Sequence, residues 1–317
     1  MKILIGCDEK SQEDKLSLDF ERAGFPEAVE VFVLSVADVF IVPGEKTSRS
    51  KQSGDKNYLV HVEEEIRKAK AIAGNITKKL KIRFPLWRFH AESAGGSAAW
   101  EILNKAREHK VDMIVVGSHG RSGVGELFFG SVALKVLAEA HCSVRIVRPV
   151  ADEKETPARI VIAADGSPQS DAGVNRLVSR QWRKGSATHL VTAVNAVVYT
   201  AFFSDNYFAA PLVSKVYTPD DASIKKEWRT TGDKRPTSWI KKMHKEYKAK
   251  LQDAGLIVTS MIKEGDPKIM LMDEARRWCA DCIYLGAAGH SRIERIMIGS
   301  VSVAVASRAH CSVEVIR

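Results

Sequence analysis

No run of apolar residues in this 317-residue chain approaches the roughly 18–20 needed to cross a bilayer as a helix, so no membrane partner is expected. Cysteine is scarce. Five residues, without the dense framework of a disulfide-stapled secreted domain, suit a reducing compartment, and the cytoplasm is the simplest expectation. The stretch from Met1 to Asp8 reaches an acidic residue too soon for a signal-peptide core, and no small-residue cleavage site follows. Clustered charge of one sign is missing as well. The net charge is +9, but Lys and Arg outnumber Asp and Glu by 23 to 20 in residues 1–150 and by 25 to 19 in the rest, so the excess is spread over both halves. It mildly favours an anionic ligand and falls short of the basic face a nucleic-acid binder needs. The densest basic stretch, Lys241 to Lys250, reads as the solvated face of a helix rather than a phosphate-backbone site.

What the chain does contain is enough for two ordinary cores. It is 45% hydrophobic and 27% charged, and about twice as long as a typical domain. It also contains a repeat. Residues Val111 to Gly120 align with Ala280 to Gly289 at an offset of 169, which also carries Gly130-Ser131-Val132 onto Gly299-Ser300-Val301 and His141 to Val144 onto His310 to Val313. One frame fits about 37 consecutive residues without a gap. The openings match at the smaller offset of 157, Ile3 to Asp8 on Ile160 to Asp165, so the second copy is longer inside by 12 residues. That surplus is expected between Tyr199 and Pro236, where Pro211, Pro219, Gly232 and Pro236 interrupt regular structure. The expected domains are residues 1–150 and 158–317, joined by the polar, proline-ended linker 151–157.

Within each copy, short Val- and Ile-rich runs alternate with longer helical periodicity. Strands are expected over Ile3–Cys7, Val31–Val36, Met113–Val116 and Val144–Val147, and again over Ile160–Ala164, His189–Val194, Cys282–Leu285 and Val313–Ile316. Helices are expected over Val60–Leu80, Ala98–Glu108, Trp239–Ala254 and Lys268–Trp278. Continuously apolar strands separated by helices predict an α/β fold with a parallel sheet covered on both faces. The last strand of each copy could form a sheet edge, which proteins usually pair or cover.

The constellation that carries chemistry is Gly117-x2-Gly120-x9-Gly130-Ser131, repeated as Gly286-x2-Gly289-x9-Gly299-Ser300. A buried strand ends at the first glycine, at the carboxyl edge where open α/β sheets bind ligands. The second glycine lets phosphate oxygens approach backbone N–H groups with no Cβ in the way. The Gly-Ser pair then opens a helix, expected over Val132–Ala140 and Val301–Ala309, whose first N–H groups and partial positive charge suit a phosphate. A single Gly-Ser pair would read as an ordinary turn and cap. Two copies with one spacer, each directly after a buried strand, favour the phosphate reading. The frame is neither a Walker A loop nor a dinucleotide fingerprint.

Loop spacing, the Asp ending the first strand and the terminal Ser-Val-x-Val/Ile-Val/Ile strand together resemble the universal stress protein family, in a tandem form covering nearly the whole chain. The resemblance implies five-stranded parallel sheets flanked by helices, Rossmann-like, that bind ATP or another adenine nucleotide, with or without Mg2+. It implies that Asp8 and Asp165 lie by the adenosine moiety, while Gly117, Gly120, Gly130 and Ser131, with their counterparts Gly286, Gly289, Gly299 and Ser300, hold the phosphates. Val132, Val301, Arg121 and His290 stand beside them. It further implies that the two halves dock as a pseudo-dimer within one chain; pairing of whole chains into a homodimer stays open. Asp165-Gly166-Ser167-Pro168 and Gly265-Asp266-Pro267 fit the family pattern, whereas the first copy departs with Asp8-Glu9-Lys10-Ser11 and Gly95-Gly96-Ser97. In the second loop, Ala287-Ala288 replaces Ser118-His119 and His290 replaces Arg121. Two unequal sites are therefore expected.

Read without the resemblance, each first-strand Asp is either a ligand acceptor at the strand end or a loop cap. Arg121 either neutralises phosphate or is simply solvated, and His119 and His290 have no visible partner that would make either a general base. Cys279-x-x-Cys282 falls between a helix end and a strand, unlike a thioredoxin-type motif, and reads as two structural thiols. Zinc would need a second pair that the sequence lacks. Cys142 and Cys311 read as small core residues. The expected function is that of a nucleotide-binding stress regulator, with slow ATP hydrolysis or nucleotide transfer as the alternative and a redox-responsive interaction protein using Cys279 and Cys282 as a weaker third.

Overall fold

A computed structural model describes residues 1–9, 13–39, 53–118, 129–149, 156–194, 237–288 and 298–317. The chain divides into two compact units, one within residues 1–153 and the other within 154–317, with Arg22–Gly24 grouped with the second. The linker residues 151–155, the surplus between Tyr199 and Pro236, and Gly120, Arg121, Gly289 and His290 lie outside the described residues.

In the first unit the strands are β1 (Lys2–Cys7), β2 (Glu30–Ala37), β3 (Arg88–Gly95), β4 (Met113–Gly117) and β5 (Ser143–Val147). The helices are α1 (Glu13–Arg22), α2 (Ser53–Arg83), α3 (Ala98–Glu108) and α4 (Ser131–Glu139). All pairings are parallel, and the sheet runs β3-β2-β1-β4-β5. Ile3, Leu4 and Ile5 of β1 and Met113, Ile114 and Val115 of β4 are fully buried, because central strands of such a sheet have helices on both faces. A cluster of rings closes one end: Phe84 stacks on Trp87 with centroids 4.4 Å apart, and Phe20 meets Phe25 edge-on at 5.4 Å. Arg145, in the middle of β5, is buried and forms a bidentate pair with Asp19 of α1, at 2.7 and 2.9 Å.

The second unit repeats the plan with β6 (Arg159–Ala163), α5 (Pro168–Val178), β7 (Ala187–Val194), α6 (Thr237–Asp253), β8 (Ile257–Glu264), α7 (Pro267–Arg277), β9 (Cys282–Gly286), α8 (Ser300–Arg308) and β10 (Ser312–Ile316). Its sheet runs β8-β7-β6-β9-β10, again parallel. The helix α6 buries Ile240, Met243, Tyr247 and Leu251 and exposes Lys241, Lys242, Lys245 and Lys250, so the basic stretch is a solvated helix face. Here too a buried ion pair reaches the last strand, Arg180 Nη2 to Glu314 Oε1 at 2.6 Å.

The parallel α/β architecture agrees with the expected one, and its eight expected strands and six expected helices all occur. The outer strands β3 and β8 and the helices α1 and α5 are additions that the residue pattern had not marked. Every residue of β5 and of β10 is buried.

Candidate functional site

A parallel sheet changes direction where the crossovers leave one strand on opposite sides, and the splayed helices leave a crevice at the carboxyl ends there. In the first unit that point lies between β1 and β4, paired from Ile3 with Met113 to Gly6 with Val116. In the second it lies between β6 and β9, paired from Ile160 with Cys282 to Ile162 with Tyr284. Asp8 directly follows β1 and Gly117 ends β4; Asp165 follows β6 and Gly286 ends β9. The expected acceptor and the first loop glycine therefore share one edge in each unit.

The helix that follows is tied to the same edge. In the first unit the Ser118 N–H donates to Val147 O at 3.2 Å, and the Gly130 N–H donates to Ser118 O at 3.0 Å. In the second, Ala287 donates to Ile316 O at 2.8 Å and Gly299 to Ala287 O at 2.7 Å. Each pair of bonds places a helix N-terminus one residue away from its strand end. Both N-caps are glycines in extended conformation, Gly130 at φ −64° and Gly299 at φ −69°, and no side chain caps either end. The N–H groups of the first turn, those of Ser131 and Val132 or of Ser300 and Val301, thus face the crevice end of the helix with its partial positive charge. Ser131 and Ser300 are the first helical residues, one position earlier than the sequence pattern suggested. Ser302, one turn in, donates to Gly286 O at 2.6 Å and ties α8 to the end of β9. Gly286 itself cannot be larger: a Cβ there would stand 2.5 Å from Cβ of Gln169.

The two strand-end acids differ in what surrounds them. Asp165 acts as a loop cap, its Oδ1 accepting from the Ser167 N–H at 2.9 Å. Ser167 in turn caps α5, accepting from the Ser170 N–H at 3.1 Å, with Pro168 in the first turn. Gly166 between them has φ +80°, the left-handed region that glycine tolerates best. In the first unit the corresponding residue is Glu9, which is not among the described residues with positive φ. Beside Asp8, burial pushes the Cys7 thiol up to about 12, and the thiol donates to Leu34 O at 3.4 Å, so it is an inert packed group.

Behind the second edge lies a polar group that sequence reasoning missed. Thr192 of β7 donates to Ala164 O and lies 2.7 Å from His244 Nε2. Tyr247, one turn further along α6, donates to Asp171 Oδ1 and lies 3.3 Å from Ser170 Oγ. Burial, with His189 nearby, holds His244 below the ordinary imidazole range. Burial and the bond to Asp171 push the Tyr247 hydroxyl above the usual phenol range. The only signal in the sequence was that a His and a Tyr occupied core positions of an amphipathic helix.

The remaining candidates resolve simply. Cys279 is exposed in a left-handed turn at φ 47°, matching Lys110 at φ 52° in the first unit, while Cys282 is buried at the start of β9. None of the five cysteines forms a disulfide. Among the described residues no group of three His, Cys, Asp or Glu is arranged to hold a metal ion, and no helix is long and apolar enough to cross a membrane.

A family model described as the universal stress protein family matches residues 1–148 and again residues 157–317. The chain belongs to the universal stress protein family. Two matches end to end make it a tandem member. Universal stress protein MJ0531 of Methanocaldococcus jannaschii is 38% identical over 73 residues, 22% of this chain and 43% of that protein. The putative universal stress protein SERP1273 of Staphylococcus epidermidis is 27% identical over 160 residues, 50% of this chain and 82% of that one. The chain spans less than half the length of the first of these relatives. Among solved structures, a universal stress protein from Archaeoglobus fulgidus superimposes with a TM-score of 0.60 at 18% identity, covering 100% of this chain and 96% of that chain. A likeness at that identity shows the shared fold.

Proposed function

We propose that this universal stress protein binds an adenine nucleotide, ATP first among them, with or without Mg2+, and works in the cytoplasm as a ligand-dependent regulator rather than a fast enzyme. The observation that carries the reading is the convergence, in both units, of a strand-end carboxylate, a strand-end glycine and an uncapped helix N-terminus on one crevice. Backbone N–H groups at a helix start form charge-assisted bonds to phosphate, and an acid at the neighbouring strand end accepts from ribose or base donors. Gly120, Arg121, Gly289 and His290 complete the reading as members of the loops between strand and helix. Docking of the two halves as a pseudo-dimer belongs to the same proposal, and a scattering profile with two separated lobes would refute that part.

The deciding experiment measures the small-molecule content of the purified, heat-denatured chain, followed by calorimetric titration with ATP. One or two adenine nucleotides per chain, or saturable ATP binding, is the expected result. No nucleotide and no heat of binding would overturn the reading. Turnover above about 1 per second in the presence of Mg2+ would replace the regulator by an enzyme.

A further inference from the structure

The helices α2 and α6 occupy the same place in their units, yet they offer different chemistry to the crevice. Helix α2 buries Ala69, Ala73, Ile76 and Leu80; at the same spacing α6 buries Ile240, His244, Tyr247 and Leu251. Two apolar positions of the first unit have thus become a histidine and a tyrosine in the second, and both reach toward the loop that carries Asp165.

The hydrogen bonds give that change a direction. The hydroxyl proton of Thr192 is spent on Ala164 O, so at 2.7 Å His244 Nε2 must be the donor to Thr192 Oγ1. Ala164 is held on its other side by its own N–H, bonded to Val191 O at 2.9 Å. One residue beyond Asp165, the Gly166 N–H donates to Ser170 Oγ at 3.2 Å. The Ser170 hydroxyl donates to Ser167 O at 3.0 Å and packs 3.3 Å from Tyr247 Oη, whose own proton goes to Asp171 in the first turn of α5. Ala164 is therefore anchored to α6 through Thr192, and Gly166 to the first turn of α5, which Tyr247 holds from α6 through Asp171. The loop is fixed before any ligand arrives, and fixing a loop in advance lowers the entropic cost of binding. At the matching positions Ala73 and Ile76 carry no donor.

We propose that Tyr247 and His244 are positioning residues that preset the Asp165 loop and make the crevice of the second unit the tighter of two nucleotide sites. This rests on the nucleotide reading above. The test titrates ATP into the whole chain carrying Gly120→Val, which leaves the second site, or Gly289→Val, which leaves the first. The Gly120→Val chain should bind ATP more tightly than the Gly289→Val chain. Adding Tyr247→Phe, which keeps the ring and removes the hydroxyl, should weaken ATP about three- to tenfold in the first background and leave the second unchanged. His244→Ala should act in the same way and His244→Gln, which keeps a donor, should restore binding. Amide exchange at Gly166 should speed up in Tyr247→Phe with no matching loss in global melting temperature. Tighter binding in the Gly289→Val chain, or Tyr247→Phe without effect on either ATP affinity or Gly166 exchange, would overturn the proposal while leaving the nucleotide reading intact. Absence of ATP binding in the unmodified chain would remove both, and that outcome is distinct from a reversed ranking.

Discussion

Replacing Gly286 by alanine tests whether the crevice of the second unit is held at one fixed width. An added Cβ would stand 2.5 Å from Gln169 Cβ and 3.1 Å from Ala288 O. Carbon atoms rest at about 3.5–4.0 Å, so the first turn of α5 or the end of β9 must retreat by about 1 Å. Neither obstacle is the far end of a flexible side chain: one is the root of a helical residue, the other backbone. Overpacking of this kind costs about 1–3 kcal/mol. A unit of this size loses about 2–4 °C of melting temperature per kcal/mol, which sets the expected drop at about 2–12 °C. The same displacement moves Ser167 and the Asp165 cap bonded to it, so ATP affinity at this site should fall together with stability. Gly299→Ala is the control for stability, because its Cβ makes one tight contact, with Ala287 O at 3.3 Å, and ordinary ones with Ala288 Cα and Ser302 Oγ at 3.8 Å, so a few tenths of an ångström suffice. Thermal melts and ATP titrations of both variants decide the matter. A Gly286→Ala chain that melts like the wild type and binds ATP equally well would refute the idea that contact between β9 and α5 shapes the site.

Asp19→Ala should destabilise the first unit by about 3–5 kcal/mol, because it leaves the Arg145 guanidinium buried on β5 without its carboxylate; urea unfolding should show it, and a loss under 1 kcal/mol would sink the claim. Ser131→Ala and Ser300→Ala should each weaken ATP at one site by about ten- to a hundredfold, the worth of a charge-assisted hydrogen bond, as read by calorimetry. His189 and His244 both titrate below the ordinary imidazole value, each chiefly through burial. The unfolded chain therefore takes up those protons first as pH falls below about 6.5, and stability declines in that direction. Urea midpoints across that range should show the decline, less steeply in His244→Gln; an unchanged slope in that variant would exclude His244 as a source.

The central strands and the Gly-Ser helix starts were legible because each satisfies a local rule. A strand covered on both faces has to be continuously apolar, and Ile3–Cys7 and Met113–Val116 are; a glycine at the N-cap leaves the first N–H groups of a helix without a side-chain partner there, and Gly130 and Gly299 do so. The outer strands failed that rule for a physical reason. Residues Arg88 to Gly95 form the last strand on one side, with a mixture of half-buried and exposed positions, so the run Arg-Phe-His-Ala-Glu-Ser-Ala-Gly shows no continuous apolar signal. Helices α1 and α5 are short, and polar residues such as Asp19 and Ser170 occupy buried positions on them, which breaks the apolar stripe that marks a helix in sequence. The same substitution of polar for apolar hid the Tyr247 and His244 group. A helix periodicity reports that a position is buried, not which loop it faces. That second fact comes from pairing α6 with α5 and β7, residues far apart in the chain. It follows that the repeat, which made the shared frame of the two sites visible, also concealed what distinguishes them. Among the described residues the shared glycines and serines stand at the strand ends and helix starts, whereas the divergent ones stand behind them and bear, through Thr192 and Asp171, on the elements flanking the loop that carries Asp165.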